Sequence, residues 1–232
     1  TTHSMSKFNF LHISDTHILR DYSNTMLETV VEGIGKTPED FFFAAVERMI
    51  QVCPNLDFVV ISGDLVHEGT ADDYAHFKGL LEKALTDIPL YLCLGNHDRR
   101  DAFKEGFLNQ AADNTPYYYA VNHKDSGLRI ISLDSSYDNS GKGLIDMEQL
   151  LWLKDTLQEK AEKGSILVLH HPPCVGTSDP MRAMHGLINS DELYQIVKDS
   201  DIIGILSGHT HQVCATLFGD IPHYTVDSTA FG

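Results

Sequence analysis

Five apolar runs in this 232-residue chain each end in a histidine, an aspartate or an asparagine. They are FNFLHISDTH, LDFVVISGDLVH, IPLYLCLGNHD, SILVLHHPP and DIIGILSGHTH. Each continuous apolar stretch reads as a strand buried on both faces. Helical patterns lie between the first three. One runs over 38–53, with Thr37 as N-cap and Pro38 at the first helical position. A second, TADDYAHFKGLLEKAL, is amphipathic over 70–85. Strands alternating with helices predict a sheet covered by helices, with parallel pairing in the first half. In open α/β sheets, ligands sit outside the carboxyl ends of the strands. The five polar clusters are therefore predicted to converge on one edge.

The second half has a different rhythm. YYYAVNH and LRIISLDSS predict an antiparallel pair, and DMEQLLWLKDTLQEKAEK predicts a helix over 146–163 that stops at Gly164. Further strands follow at QVCATLF and HYTVDS, with a helix over 190–198. No linker or repeat interrupts the chain, which predicts one α/β domain over 5–232 with packed sheets. Thr1 to Ser4 precede Met5 and read as an expression remnant. Leu19–Lys36 and Pro172–Ile188 are the longest stretches without a pattern. They are candidate lids, the second carrying Met181, Met184 and His185.

Asp15, His17, Asp64, Asn96, His97, His170, His209 and His211 would bring carboxylates, imidazoles and one amide together. Oxygen and nitrogen donors without thiolate suit Mn, Fe, Zn, Co or Ni. Eight candidates exceed one ion's set and fit two metals roughly 3.5–4 Å apart with a carboxylate between them. On an extended strand end, residues i and i+2 face the same way, so Asp15-x-His17 and His209-x-His211 can each present two donors. Gly63, Gly95 and Gly208 would allow a sharp turn before each donor.

Taken together, Asp15-x-His17, Gly63-Asp64, Gly95-Asn96-His97-Asp98, His170-His171-Pro172-Pro173 and Gly208-His209-x-His211 resemble the calcineurin-like metallophosphoesterase signature. The HHPP and ISDTH forms are most similar to its cyclic-nucleotide and glycerophosphodiester phosphodiesterase branch. The resemblance implies a four-layer α/β/β/α sandwich with a dinuclear centre of Mn, Fe or Zn. Asp15, His17 and His211 would hold one metal, Asn96, His170 and His209 the other, and Asp64 would bridge them. His97 would face the phosphoryl group, with Asn96 beside it, and Asp98 would orient His97. His185 would touch substrate from its loop. The implied reaction is hydrolysis of a small phosphodiester by metal-bound hydroxide. A phosphomonoesterase is the nearest alternative, and an inactive binding scaffold of the same fold is the other. Relatives commonly continue past a TVDSTAFG-like end and dimerise through the added tail. The resemblance thus leaves open a homodimer or higher oligomer, and a natural chain that continues past Gly232.

The net charge of −16 repels phosphate polymers and anionic lipid, so neither nucleic acid nor a membrane is an expected partner. A small diester is still attracted locally, because two divalent ions less their anionic ligands leave roughly one positive charge. No signal peptide opens the chain and no apolar run approaches the ~20 residues of a membrane span, so the expected location is cytoplasmic. The four cysteines form no C-x-x-C and are expected reduced. Of the other histidines, His12 is expected in the core and His171 turned away from the site. His67 is read as structural, and His3, His76, His123 and His223 as surface. Asp134 is expected to support the site from below, Arg20 and Arg99 to be solvated, and Phe41–Phe43 to be core.

Overall fold

The computed structural model describes residues 7–138, 140–174 and 184–231. His3 and Met181 lie outside them. β1 (Phe10–Ile13), β2 (Phe58–Ser62) and β3 (Leu90–Cys93) form a parallel sheet in that order. Between them run α1 (Glu28–Ile34), α2 (Pro38–Val52) and α3 (Ala71–Ala84), and α4 (Arg100–Gly106) follows β3. The second sheet is six-stranded. It contains β4 (Tyr119–His123), β5 (Leu128–Ser132), β6 (Ser165–Val168), β7 (Ile202–Ser207), β8 (Cys214–Phe218) and β9 (Ile221–Thr225), in the order β4-β5-β6-β7-β9-β8. β4 and β5 are antiparallel as predicted, while β5, β6, β7 and β9 run parallel. α5 (Met147–Thr156) and α6 (Ser190–Val197) complete the described helices.

Strand alternation sorts the buried residues into three cores. Val59 and Ile61 of β2 face outward onto Phe42, Tyr74 and Phe77 of the helices. Phe58 and Val60, their neighbours, face inward onto Ile130, Val168 and Leu206 of the second sheet. On the far side, Ile131, Leu167 and Ile205 pack against Leu153 of α5 and Leu193 of α6. The result is four layers, α/β/β/α, because each sheet is apolar on both faces and needs a cover on each. Phe42 is fully buried, while Phe41 and Phe43 are half-buried. The predicted capping of α2 holds: Thr37 Oγ1 accepts from Asp40 N, and Asp40 accepts from Thr37 N at 2.8 Å.

Three expectations are corrected. The stretch Leu19–Lys36 contains α1, a seven-residue helix with no fully buried residue. The helix predicted over 146–163 ends at Thr156. Arg129, on β5, donates to the Thr156 carbonyl at 2.8 Å and pairs with Asp201, which in turn accepts from Ala161 N at 2.7 Å. The backbone past Thr156 thus takes a tertiary partner where the periodicity offered a helical one. His123 and His223 are buried, not on the surface, since they point into the fold from β4 and β9 and face Ser126 and Ser207. His12 is partnered as expected, with Nε2 2.8 Å from Ser62 Oγ.

The Arg129–Asp201 pair gives a first prediction. Both side chains are at most 10% exposed. Arg129→Met leaves Asp201 buried without its counter-charge and should cost about 3–5 kcal/mol. The midpoint of urea unfolding should fall, with little change in slope.

Candidate metal centre

The two sheets bring their carboxyl edges together beyond the last paired strand residues. Backbone bonds continue past the strands: Asp15 N donates to Gly63 O, His17 N to Asp64 O, and Gly208 N to His170 O. The donor residues themselves leave the extended conformation. Asp15, His17, Asp64, His209 and His211 all have positive φ, between 46° and 71°. The i, i+2 argument from an extended strand end therefore does not describe these segments. Left-handed backbone at five non-glycine positions stores strain that the surrounding hydrogen bonds hold in place. The glycine expectation is also revised. Gly63 does need its φ of +97°. Gly95 and Gly208 are needed for space, because a Cβ at either would overlap the Asp64 carboxylate or the Ser14 hydroxyl and Asp15 carboxylate.

Two triads form. Asp15, His17 and His211 present donor atoms within 4.8 Å of one another, and so do Asp64, His170 and His209. Asp15 is fully buried. Its Oδ2 accepts from Ser14 Oγ at 2.6 Å and His209 N at 3.0 Å, and its Oδ1 lies 3.1 Å from His211 Nε2. Asp64 Oδ1 accepts from His97 N at 2.9 Å. Asp64 Oδ2 lies 3.2 Å from His170 Nε2 and 3.9 Å from His17 Nε2, so one oxygen faces both triads.

Tautomers follow from the backbone. His170 Nδ1 donates to Ser62 O at 2.7 Å, which leaves Nε2 as the inward donor atom. His209 Nε2 donates to Gly141 O at 2.7 Å, which leaves Nδ1. Asn96 Oδ1 is buried and has no hydrogen-bond partner among the described residues, and His170 Nε2 is buried against the carboxylates of Asp64 and Asp15. Buried polar atoms without partners are costly. Clustered among carboxylates and imidazoles, they fit a bound divalent cation. Burial holds His17 and His209 down to about 4. Burial also opposes charge on His170, yet Asp64 and Asp15 carry it up to about 10. The cleft thus attracts positive charge strongly enough to keep a proton where a metal would sit.

His97 stays outside both triads. Its ring stacks on His67 with centroids 4.5 Å apart, and its Nδ1 lies 3.2 Å from Glu68 Oε1. The expectation that Asp98 orients the His97 ring is corrected. The Asp98 carboxylate accepts instead from Leu65 N, Val66 N, Gly95 N and Tyr74 Oη. It pins the Gly95–Asp98 turn against the Asp64 segment, and Glu68 occupies the place beside the imidazole. Burial and Asp64 push the Asp98 pKa upward against the bonds from Gly95, Tyr74 and Leu65. His67, read as structural, lines the cleft with Nδ1 3.1 Å from His17 Nδ1. His67, Glu68 and His97 make a third cluster of donors.

The remaining candidates divide. His185 lines the cleft, with its ring 5.8 Å from His209. His171 is in neither triad but packs on His209, with ring centroids 4.5 Å apart and its Nδ1 2.7 Å from Ser135 Oγ. Asp134 supports the site at one remove: it pairs with Arg100 and accepts from Ser136 N, and Ser136 Oγ donates to Gly95 O at 2.7 Å. Arg20 and Arg99 are half-exposed, Arg20 pairing with exposed Asp72 and buried Asp73 and Arg99 with half-buried Asp101. The sequence reading missed Phe231, Met26 and Leu27, which line the cleft. It also missed Ser228, whose Oγ donates to Asp15 O at 2.7 Å. Phe231 and Ser228 reach the site only because the chain returns after β9, and nothing local marks that return.

Residues 8–213 match the family described as Calcineurin-like phosphoesterase. The chain belongs to the calcineurin-like phosphoesterase family. It is 30% identical to a probable cyclic nucleotide phosphodiesterase from Rhodococcus erythropolis, over 97% of this chain and 72% of that protein. It is 30% identical to a cAMP/cGMP dual specificity phosphodiesterase from Mycobacterium tuberculosis, over 99% of this chain and 70% of that one. A probable glycerophosphodiester phosphodiesterase from Arcobacter nitrofigilis is 31% identical over 72% of this chain and 61% of its own length. The fold is shared with a dimetal phosphatase from Danio rerio, at 17% identity and a TM-score of 0.66, over 96% of this chain and 88% of that one. As a calcineurin-like phosphoesterase the chain is a hydrolase with residues for a dinuclear metal centre. No helix among the described residues is long and apolar enough to cross a membrane.

Proposed function

We propose that this calcineurin-like phosphoesterase hydrolyses small phosphodiesters. Asp15, His17 and His211 would hold one metal, Asn96, His170 and His209 would hold the second, and Asp64 would serve both. The observation that carries this reading is Asp64 Oδ2, which faces His17 and His170 from between the two triads. When bound, divalent metals polarise the phosphoryl group and acidify water at neutral pH. The chain's own residues do the rest. Ser62 O and Gly141 O fix which nitrogen His170 and His209 offer. Asp98 holds the turn that carries Asn96 and His97, and the buried amide oxygen of Asn96 would be that residue's donor to the metal. His97, with Nδ1 held by Glu68, presents Nε2 to the phosphoryl group and supplies a proton to the departing alkoxide. His185 closes the cleft from the side of His209 and contacts substrate.

A rate comparison tests this. Chelated protein is reloaded separately with Mn, Fe, Zn, Co or Mg and assayed with bis(p-nitrophenyl) phosphate and p-nitrophenyl phosphate. The expected result is metal-dependent preference for the diester, lowered about 10²–10⁴-fold in His97→Ala. Preference for the monoester moves the assignment to a phosphatase. A His97→Ala variant at wild-type rate removes His97 from the mechanism.

A further inference from the structure

The cleft over the triads is about 430 Å³ and has two unlike walls. Histidines form one. Met26, Leu27 and Phe231 form the other. Met26 is 81% exposed, an unusual setting for a large apolar side chain beside a polar centre. The Phe231 ring stands 6.2 Å from the His17 ring. It is held there by the same backbone that carries a metal-ligand candidate. Phe231 N donates to Ser228 Oγ at 3.0 Å, Ser228 Oγ donates to Asp15 O at 2.7 Å, and Thr229 N donates to Ser14 O at 3.3 Å. Ala230, between them, is buried. The segment that carries the ring is therefore tied to Ser14 and Asp15, while the methionine of the same wall can adjust its shape.

None of these three side chains has a part in binding metal or moving a proton. A phosphodiester has two arms, and an arm lying on Met26, Leu27 and Phe231 meets an aromatic face, a thioether and an aliphatic side chain. We propose that Phe231, with Met26 and Leu27, is the platform for a planar aromatic arm of the diester, of nucleobase type, and disfavours a small polar arm such as glycerol. Stacking on an aromatic side chain suits any π-face. A glycerol arm would lose water to this wall and gain no hydrogen bond from it. The inference rests on the phosphodiesterase reading of the same site.

Calorimetric titration of the metal-loaded full chain tests it with three phosphate monoesters as probes: adenosine monophosphate, glycerol 3-phosphate and hexyl phosphate. Adenosine monophosphate should bind at least about tenfold more tightly than glycerol 3-phosphate, and more tightly than hexyl phosphate. Phe231→Ala should reduce that preference by about tenfold. Phe231→Leu, which keeps an apolar side chain and removes the π-face, should reduce it too, and Phe231→Tyr should restore it. Equal affinities in the wild type, an undiminished preference in Phe231→Ala and Phe231→Leu, or hexyl phosphate binding as tightly as the nucleotide would each overturn the platform. Turnover of bis(p-nitrophenyl) phosphate is scored separately. A protein that hydrolyses it without favouring the nucleotide keeps the phosphodiesterase reading and loses this one. A protein that favours the nucleotide through Phe231 without turnover does the reverse.

Discussion

Replacing Asp64 by Asn should leave a folded protein that has lost about 10³-fold or more of its diester turnover and most of its metal. The two oxygens of Asp64 do separate work. Oδ1 accepts the His97 backbone N–H, a bond the asparagine amide oxygen can keep. Oδ2 faces His170 Nε2 and His17 Nε2, and there the amide presents an NH2 group where an anion stood. The substitution preserves shape and removes the charge nearest His170 from between the triads, while Asp15 Oδ1, 3.9 Å from both His17 Nε2 and His170 Nε2, stays in place. Metal content of the purified variant, thermal unfolding and kcat for bis(p-nitrophenyl) phosphate measure the three consequences independently. A variant that retains two metals and the wild-type rate would show that Asp64 is no bridge. One that loses metal and activity together while unfolding cooperatively would support the assignment. Because the Asp64 backbone also accepts from His17 N, a larger side chain would confuse the result, and asparagine is the informative choice.

Metal removal is the second large effect. Chelation should lower Tm by roughly 5–15 °C. A ligand present at 100 to 1,000 times its Kd contributes about 2.7–4.1 kcal/mol, and a domain of this size shifts by about 2–4 °C per kcal/mol. Reloading with divalent metal should restore it. The gap between loaded and stripped protein should widen as pH rises. In the stripped protein, Asp64 and Asp15 hold a proton on His170, whose pKa is about 10 against an unfolded value near 6.5. A folded pKa above the unfolded one stabilises fully below about pH 6.5, and that contribution is lost as pH rises towards 10. Metal competes for the same nitrogen and gains as protons become scarce. Differential scanning calorimetry with and without chelator at pH 6, 7 and 8 reads both effects. A gap that narrows towards pH 8 would contradict the assignment of His170 as a ligand.

Much of the site was legible because its donors follow strands, and strands are marked by continuous apolar runs. A residue just past such a run lies at the sheet edge whatever the rest of the fold does. Asp15, His17, Asp64, His170, His209 and His211, the members of the two triads, were picked out this way. Packed, covered sheets were legible from the same runs, since a strand apolar on both faces needs a cover on each, while the four-layer order came from the family resemblance. The conformation of the donors was not. Their left-handed backbone is set by bonds such as Asp15 N to Gly63 O, between segments 48 residues apart. No local pattern encodes it.

The partner of His97 shows the same boundary. Adjacency pointed to Asp98, but the turn aims the Asp98 carboxylate at backbone amides, and Glu68 arrives from the loop after β2. The length of α5 was decided by Arg129 and Asp201, which lie outside it in sequence. The sequence by itself determined which atoms are available and at which edge they gather, because hydrophobic periodicity is a local property. The tertiary structure alone decided which carboxylate faces which imidazole, and that Phe231 closes the cleft. Those pairings depend on chain segments that meet only when the two sheets pack.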